Sequence, residues 1–335
     1  MASPSGIFLL KGRTMTDAPV PVTAHLRKGA AAPRSEHSKG LILAVLSYGL
    51  WGVLPLYFLL LAPSGAFEVV AWRVLFSLVF CVLLITVTRT WRVMKKALAK
   101  PKVVWTMGLA GLLIFVNWQT YVYAALNGQV IEAALGYFIN PIVTVFLGVL
   151  LLHERLRRVQ WIAVGISLIA VVVLTIGYGT LPWISLVLAF SFGFYGLIKK
   201  RVGGDVDAVT GLTLETAWLV PVAVIQLVVV AGLSGLTIGT VSPWHTVALL
   251  GAGVITAVPL LFFAAAARRL PLTVIGLVQF IAPVMQFLVG VFVLQEPMPP
   301  ERWAGFALVW VALVILTVDM VRSGRAPRQA TLERT

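Results

Sequence analysis

The chain repeats itself at the offset that carries Pro141 onto Pro283, Gly148 onto Gly290, Glu154 onto Glu296, Trp161 onto Trp303 and Thr175 onto Thr317, with no gap. A repeat this long exceeds the roughly 20–50-residue units of solenoids and propellers and marks a duplicated half-protein. In an apolar chain, duplicated halves are the plan on which many secondary transporters are built. The repeat therefore points to a carrier.

Apolar residues make up 60% of the 335 and charged residues 11%, well outside the soluble averages of about 45–50% and about 25%. Between Leu41 and Val321 the sequence is a series of apolar stretches cut by short polar or Gly/Pro-containing breaks. Many are about 20 residues long, enough to cross a hydrocarbon core of roughly 30 Å as a helix. Ten spans are expected, over 41–61, 67–88, 103–124, 130–152, 159–177, 181–199, 210–231, 244–266, 273–294 and 302–320. The span 181–199, with Ser185 and Ser191, is the least regular. The expected fold is an all-α integral membrane protein of ten transmembrane helices in two five-helix repeats. The first repeat takes 40–179 and the second 182–321, between a disordered basic tail at 1–39 and a tail at 322–335.

Five spans per repeat force the second half to enter the membrane from the opposite side, so the repeats are inverted. The basic residues test this independently. Of 26 Lys and Arg, all but Arg73 and Arg302 fall on one face if there are ten spans. That asymmetry predicts cytoplasmic termini. Arg155, Arg157 and Arg158 follow the fourth span, while Arg268 and Arg269 occupy the opposite loop of the second half. The apolar pattern is copied and the charge is reversed. The net charge of +14 is thus a topology signal and does not indicate nucleic-acid binding.

The single cysteine, Cys81, lies within a span and excludes an intramolecular disulfide or a Cys-based zinc cluster. Residues 1–39 are polar and rich in Pro, Ala and Ser, and do not read as a signal peptide. Translation from Met1 and from Met15 are both compatible with the sequence.

Charges inside the bilayer mark a candidate site, because a central charge costs about 2.5–3.5 kcal/mol on translocon scales and faces a cavity or a partner. Arg73 lies in the second span, Glu132 begins the fourth and Glu215, at the repeat position of Arg73, lies in the seventh. A pair between Arg73 and Glu132 or Glu68 is expected. Glu215, or else Glu132, is the candidate for a proton-coupled step. Asn117, Tyr121 and the Ala124–Ala125 pair share one helical face of the third span, next to Trp118. Gln279, Pro283, Gln286 and Gly290 share a face of the ninth span, and Tyr137, Pro141, Thr144 and Gly148 the matching face of the fourth, beside Asn140. Pro141 and Pro283 each free a mid-span carbonyl, tolerated mainly where protein or water satisfies it. This polar-aromatic surface around symmetry-related kinks reads as a cavity wall, against the plainer alternative that small and polar residues only glue helices together. Glu154 and Glu296 head the turns into the fifth and tenth spans, where an acidic group complements the helix dipole.

Nothing in the sequence supports an enzyme. His153 and His245 are isolated, and there is no His-Glu-x-x-His pair, nucleophile elbow or phosphate-cradling glycine loop. No cofactor or metal site is expected.

The run Glu132-Ala-Ala-Leu-Gly-Tyr-Phe-Ile-Asn-Pro141 resembles the signature of RarD-type proteins, a branch of the EamA drug/metabolite transporter superfamily. So do His153-Glu-Arg-Leu-Arg-Arg-Val-Gln-Trp161, Leu188 to Leu197, Glu215-Thr-Ala-Trp-Leu-Val-Pro221, Val258-Pro-Leu-Leu and Phe306 to Leu313. The resemblance covers about 40–320. It implies ten helices in two inverted EamA repeats, an inner-membrane location and export of small metabolites or drugs.

The expected protein is a carrier working by alternating access on a small amphipathic or zwitterionic solute. Arg73 engages its anionic group, Asn117, Tyr137, Asn140 and Gln279 offer hydrogen bonds, and Trp118 and Tyr121 pack its apolar part. The rivals are a passive channel and a non-transporting membrane scaffold. A homodimer through the glycine-bearing spans 159–177 and 302–320 is open.

Overall fold

A computed structural model describes residues 34–152, 157–202, 206–267, 269–270 and 272–332. Among them the chain is helical and forms no strand. The helices are α1 (Arg34–Leu59), α2 (Ala66–Val87), α3 (Trp91–Leu98), α4 (Pro101–Leu126), α5 (Val130–Leu152) and α6 (Arg158–Tyr178). The second half follows with α7 (Trp183–Val202), α8 (Ala208–Leu233), α9 (Pro243–Ala267), α10 (Leu272–Val278), α11 (Ile281–Leu288), a π-helical turn (Val289–Val293) and α12 (Pro300–Leu332). Eight helices are long and apolar enough to cross a membrane by themselves, and Trp183–Lys199 and Ile281–Val293 are shorter apolar segments that complete ten crossings.

Local chemistry sets the helix ends. Asp207 caps α8 by accepting Val209 N–H at 3.0 Å and Thr210 N–H at 3.1 Å, which satisfies donors that have no partner inside the helix. Gly179, at φ 67°, ends α6 in the left-handed conformation that favours glycine. Pro101 opens α4, where its missing N–H costs nothing.

The packing has the symmetry of the repeat. The repeat-mated helices α2 and α8, α5 and α11, and α6 and α12 pack directly on each other. The remaining major contacts come in exchanged pairs: α2 on α9 with α8 on α4, α1 on α9 with α7 on α4, and α1 on α11 with α7 on α5. Two glycines at equivalent positions permit close approach in one such pair, α8 on α4 and α2 on α9. A Cβ on Gly111 would lie 3.0 Å from the Glu215 carbonyl oxygen in α8, and one on Gly253 would lie 2.4 Å from the Phe76 carbonyl in α2. Small residues that let backbones touch are how membrane helices associate without a hydrophobic driving force.

Four features differ from the sequence expectations. Residues 34–39, expected in the disordered tail, are the first turns of α1, where Glu36 accepts from Lys39 at 3.0 Å and from Arg269 at 3.0 Å. At the other end α12 runs on to Leu332, through most of the expected tail. The basic segment after α2 contains an additional short helix, α3, which buries Met94 and Ala97 and keeps Arg92, Lys95 and Lys96 exposed; this is the pattern of a helix lying at a membrane surface. The proline kinks are not symmetric. α5 runs unbroken through Pro141, whereas the ninth crossing breaks at Gln279–Phe280, one turn before Pro283, whose missing N–H leaves the Gln279 carbonyl without its helical donor.

Candidate functional site

Arg73 is the centre of the site. It lies in α2, is 5% exposed, and its Nε donates to Thr256 Oγ1 of α9 at 2.7 Å. The guanidinium stacks on Trp118 of α4, with Cζ 4.3 Å from the ring centroid, and lies 5.6 Å from the Phe58 ring of α1. Nη1 is buried and has no hydrogen-bond partner. Among the described residues no carboxylate pairs with Arg73, and the ionisable groups within electrostatic reach are the phenols of Tyr57, Tyr121 and Tyr137. The expected ion pair with Glu132 or Glu68 is not formed. Both carboxylates are used elsewhere, Glu68 by the Thr237 backbone N–H at 2.8 Å and Glu132 by the Ile184 backbone N–H at 3.1 Å.

The aromatic residues form a continuous wall. Phe58 meets Tyr121 at 6.0 Å, Tyr121 meets Tyr137 at 5.6 Å, and Tyr137 meets Phe192 of α7 at 6.1 Å, all edge to face, the arrangement that aromatic quadrupoles favour. Behind them runs a hydrogen-bond chain. The Tyr137 hydroxyl donates to Asn117 Oδ1 at 3.0 Å, and Asn117 Nδ2 donates to Leu188 O and Ser191 Oγ, each at 3.1 Å. Two more polar atoms are buried without a partner, Tyr121 Oη and Asn140 Oδ1, the latter against Gly193 of α7. The structure thus brings Arg73, Asn117, Trp118, Tyr121 and Tyr137 together from α2, α4 and α5, with Asn140 one turn beyond Tyr137. A mostly apolar cavity of about 150 Å³ lies between α1 and α9, with Tyr57 and Pro259 in its wall.

Gln279 occupies the turn between α10 and α11, half-buried, and among the described residues no hydrogen bond joins its side chain to the cluster. Glu215 is 1% exposed and accepts from Lys199 Nζ at 2.6 Å and from the Tyr195 hydroxyl at 3.2 Å, both on α7. Lys199, Tyr195, Thr256 and Phe58 were not legible as site residues. Lys199 lies in a basic run that otherwise reads as topology, and Thr256 is an ordinary polar residue in an apolar span. Only the repeat register could have signalled Lys199, since it sits as far before Glu215 as Tyr57 sits before Arg73.

The glutamates that bracket the site cap neighbouring helices. Glu296 accepts the Val130 N–H at 2.6 Å and the Ile131 N–H at 2.9 Å, so the dipole it complements is that of α5 and not, as expected, that of the helix it precedes. Burial pushes its carboxyl above the usual value, against the two backbone donors. Glu132, in the first turn of α5, does the same for α7 through Ile184 N–H, while the Ser185 hydroxyl donates to the Glu132 carbonyl at 2.6 Å. Glu154, the repeat mate of Glu296, lies outside the described residues.

The sequence matches the model of the EamA-like transporter family twice, over residues 38–176 and 181–318. It is 47% identical to Protein RarD of Streptomyces exfoliatus over 88% of this chain and 93% of that protein. It is 40% identical to Protein RarD of Escherichia coli (strain K12) over 86% and 96% of the two chains. A solved crystal structure at 19% identity superposes with a TM-score of 0.54, covering 83% of this chain and 97% of the other, a likeness of fold alone. With ten apolar crossings and the duplicated family match, the chain is a multi-pass membrane protein and belongs to the RarD-type branch of the EamA-like transporter family.

Proposed function

We propose that the protein is a secondary carrier of the inner membrane, with both termini cytoplasmic, that exports a small amphipathic organic solute bearing an anionic group, zwitterions included, by alternating access. The observation that carries the reading is Arg73: a cation held in the membrane interior, stacked on Trp118 and left with a free donor. A structural arginine at that depth is paired, because an uncompensated charge in the bilayer is costly; one left open suits a ligand's anionic group. Asn117, Tyr137 and Asn140 supply hydrogen-bonding atoms nearby and Trp118 and Tyr121 an apolar wall. The inverted packing of the halves supports rocking of one against the other around this fixed centre. The location of the termini rests on the basic residues alone.

Coupling to protons, where it occurs, is assigned to Glu215. Glu132 is occupied as a cap of α7, whereas Glu215 shares its environment with a lysine and a phenol that can exchange hydrogen bonds as helices move.

A growth screen of a carrier-deficient bacterium overexpressing this chain, against toxic amino-acid analogues and toxic aromatic carboxylic acids, tests the reading beside Arg73→Ala at equal expression. Resistance lost in the variant is expected; sensitisation means import. Saturable counterflow in proteoliposomes separates a carrier from a passive channel. A Glu215→Gln protein that kept its full dependence on a pH gradient would remove Glu215 as the coupling group.

A further inference from the structure

The two halves treat their buried charge differently. Arg73 and Glu215 are repeat mates on α2 and α8, 5% and 1% exposed. In the second half the charge is neutralised from within the chain, by Lys199 at 2.6 Å. The first-half mate of Lys199 is Tyr57, which carries no charge and gives its hydroxyl to the Ala248 carbonyl at 2.5 Å. The counter-ion that the repeat provides at this place is therefore missing in the first half, and Arg73 Nη1 is left without a partner.

From this we infer that the Arg73 centre selects monoanionic solutes, a single carboxylate on a flat apolar body, over zwitterions of the same skeleton; the inference rests on the carrier reading and narrows its substrate class. The solute carboxylate supplies the missing counter-ion and accepts from the guanidinium, a charge-assisted contact favoured where water is excluded. The flat body lies against the edge-to-face wall of Phe58, Tyr121 and Tyr137. Among the described residues, an ammonium on the same solute has no free anion to meet. The carboxylates that could serve are occupied: Glu68 by Thr237 N–H, Glu132 by Ile184 N–H, Glu296 by Val130 and Ile131 N–H, and Glu215 by Lys199. The groups that face Arg73 from α1, α4, α5 and α9 are phenols, an indole, a phenyl ring and a hydroxyl. A second positive charge brought beside an unpaired guanidinium is repelled and desolvated without compensation.

Four probes of one skeleton test this on the full-length purified protein: 3-phenylpropanoate, L-phenylalanine, 3-phenylpropanamide and phenethylamine, followed by calorimetry and by quenching of tryptophan fluorescence. The expected result is that 3-phenylpropanoate binds at least about 10-fold more tightly than the other three. Arg73→Ala should remove that preference and Arg73→Lys keep part of it. Tyr57→Glu, which builds a counter-ion into the chain, should weaken the monoanion selectively; a variant that loses its monodisperse elution is replaced by Tyr57→Asp. Phenylalanine binding as tightly as 3-phenylpropanoate overturns the inference and leaves the carrier standing. So does binding of the series that is indifferent to Arg73→Ala. Failure of all four to bind at millimolar concentration overturns the proposed class. Arg73-dependent binding of 3-phenylpropanoate without counterflow in proteoliposomes would uphold the site and defeat the carrier reading instead.

Discussion

Arg73 and Glu215 hold the same position in the two halves, yet only Glu215 has a counter-ion: Lys199 Nζ lies 2.6 Å from its Oε1, while Arg73 rests on the Trp118 ring at 4.3 Å. One half has closed its buried charge with a side chain, and the other has left it for something else to close.

Breaking the closed pair should be expensive. Lys199→Met leaves the Glu215 carboxylate buried and unpaired, a change that costs about 3–5 kcal/mol for a fully buried pair. The lower end applies, because the Lys199 side chain is 32% exposed. Glu215→Gln added to Lys199→Met should recover most of the loss. Thermal unfolding in detergent reads both variants.

Removing the stacking partner of Arg73 should weaken solute recognition more than folding. A desolvated cation–π contact is worth about 2 kcal/mol, so Trp118→Leu is expected to raise the counterflow KM by about 10- to 30-fold. Trp118→Phe, which keeps a ring, should lose much less.

Glu296 gives a pH dependence outside the spans. Burial raises its carboxyl in the folded protein, so the protonated form is favoured there relative to the unfolded chain. Its contribution is fully present below the ordinary glutamate value of about 4.3, and it is lost as pH rises through the raised value. Glu296→Gln should flatten stability over that window. At neutral pH the amide removes the desolvation cost of the carboxylate but leaves one of the Val130 and Ile131 N–H groups without its acceptor, so the net change there should stay within about 1 kcal/mol. Melting curves between pH 4 and pH 8 check both effects.

The glycine contacts predict a position-specific cost. Gly253→Ala places a methyl group 2.4 Å from the Phe76 carbonyl, and forcing the helices apart should cost about 1–3 kcal/mol. Gly165→Ala, where nothing lies within 4 Å, should be neutral or slightly stabilising. Equal effects at the two sites would contradict close packing of α2 on α9.

The Tyr137–Asn117 hydrogen bond, 3.0 Å long, suits a double-mutant cycle with Tyr137→Phe and Asn117→Ala. Interhelical bonds in membranes average about 0.6 kcal/mol and reach about 1.7 kcal/mol. Asn117→Ala alone should cost more than Tyr137→Phe, because Asn117 also holds α7 through Leu188 O and Ser191 Oγ, a cost that the cycle subtracts.

The sequence by itself determined the features that follow from hydrophobicity and duplication: an all-helical membrane protein, ten crossings and two inverted halves, because the cost of an unsatisfied backbone in lipid leaves an apolar chain few alternatives. It also singled out Arg73, since a lone charge in an apolar run is visible without coordinates. What Arg73 touches was decided only by the tertiary structure. Glu132 and Glu68 were the nearest-looking counter-ions along the chain, but helix packing gave them the unpaired N–H groups of Ile184 and Thr237. Glu296 likewise serves α5, more than 160 residues earlier in the sequence, and not its own helix. Period and composition record which face of a helix is apolar. Which side chains meet across six helices depends on where glycines such as Gly111 and Gly253 let backbones approach, and on which partner then satisfies each buried donor.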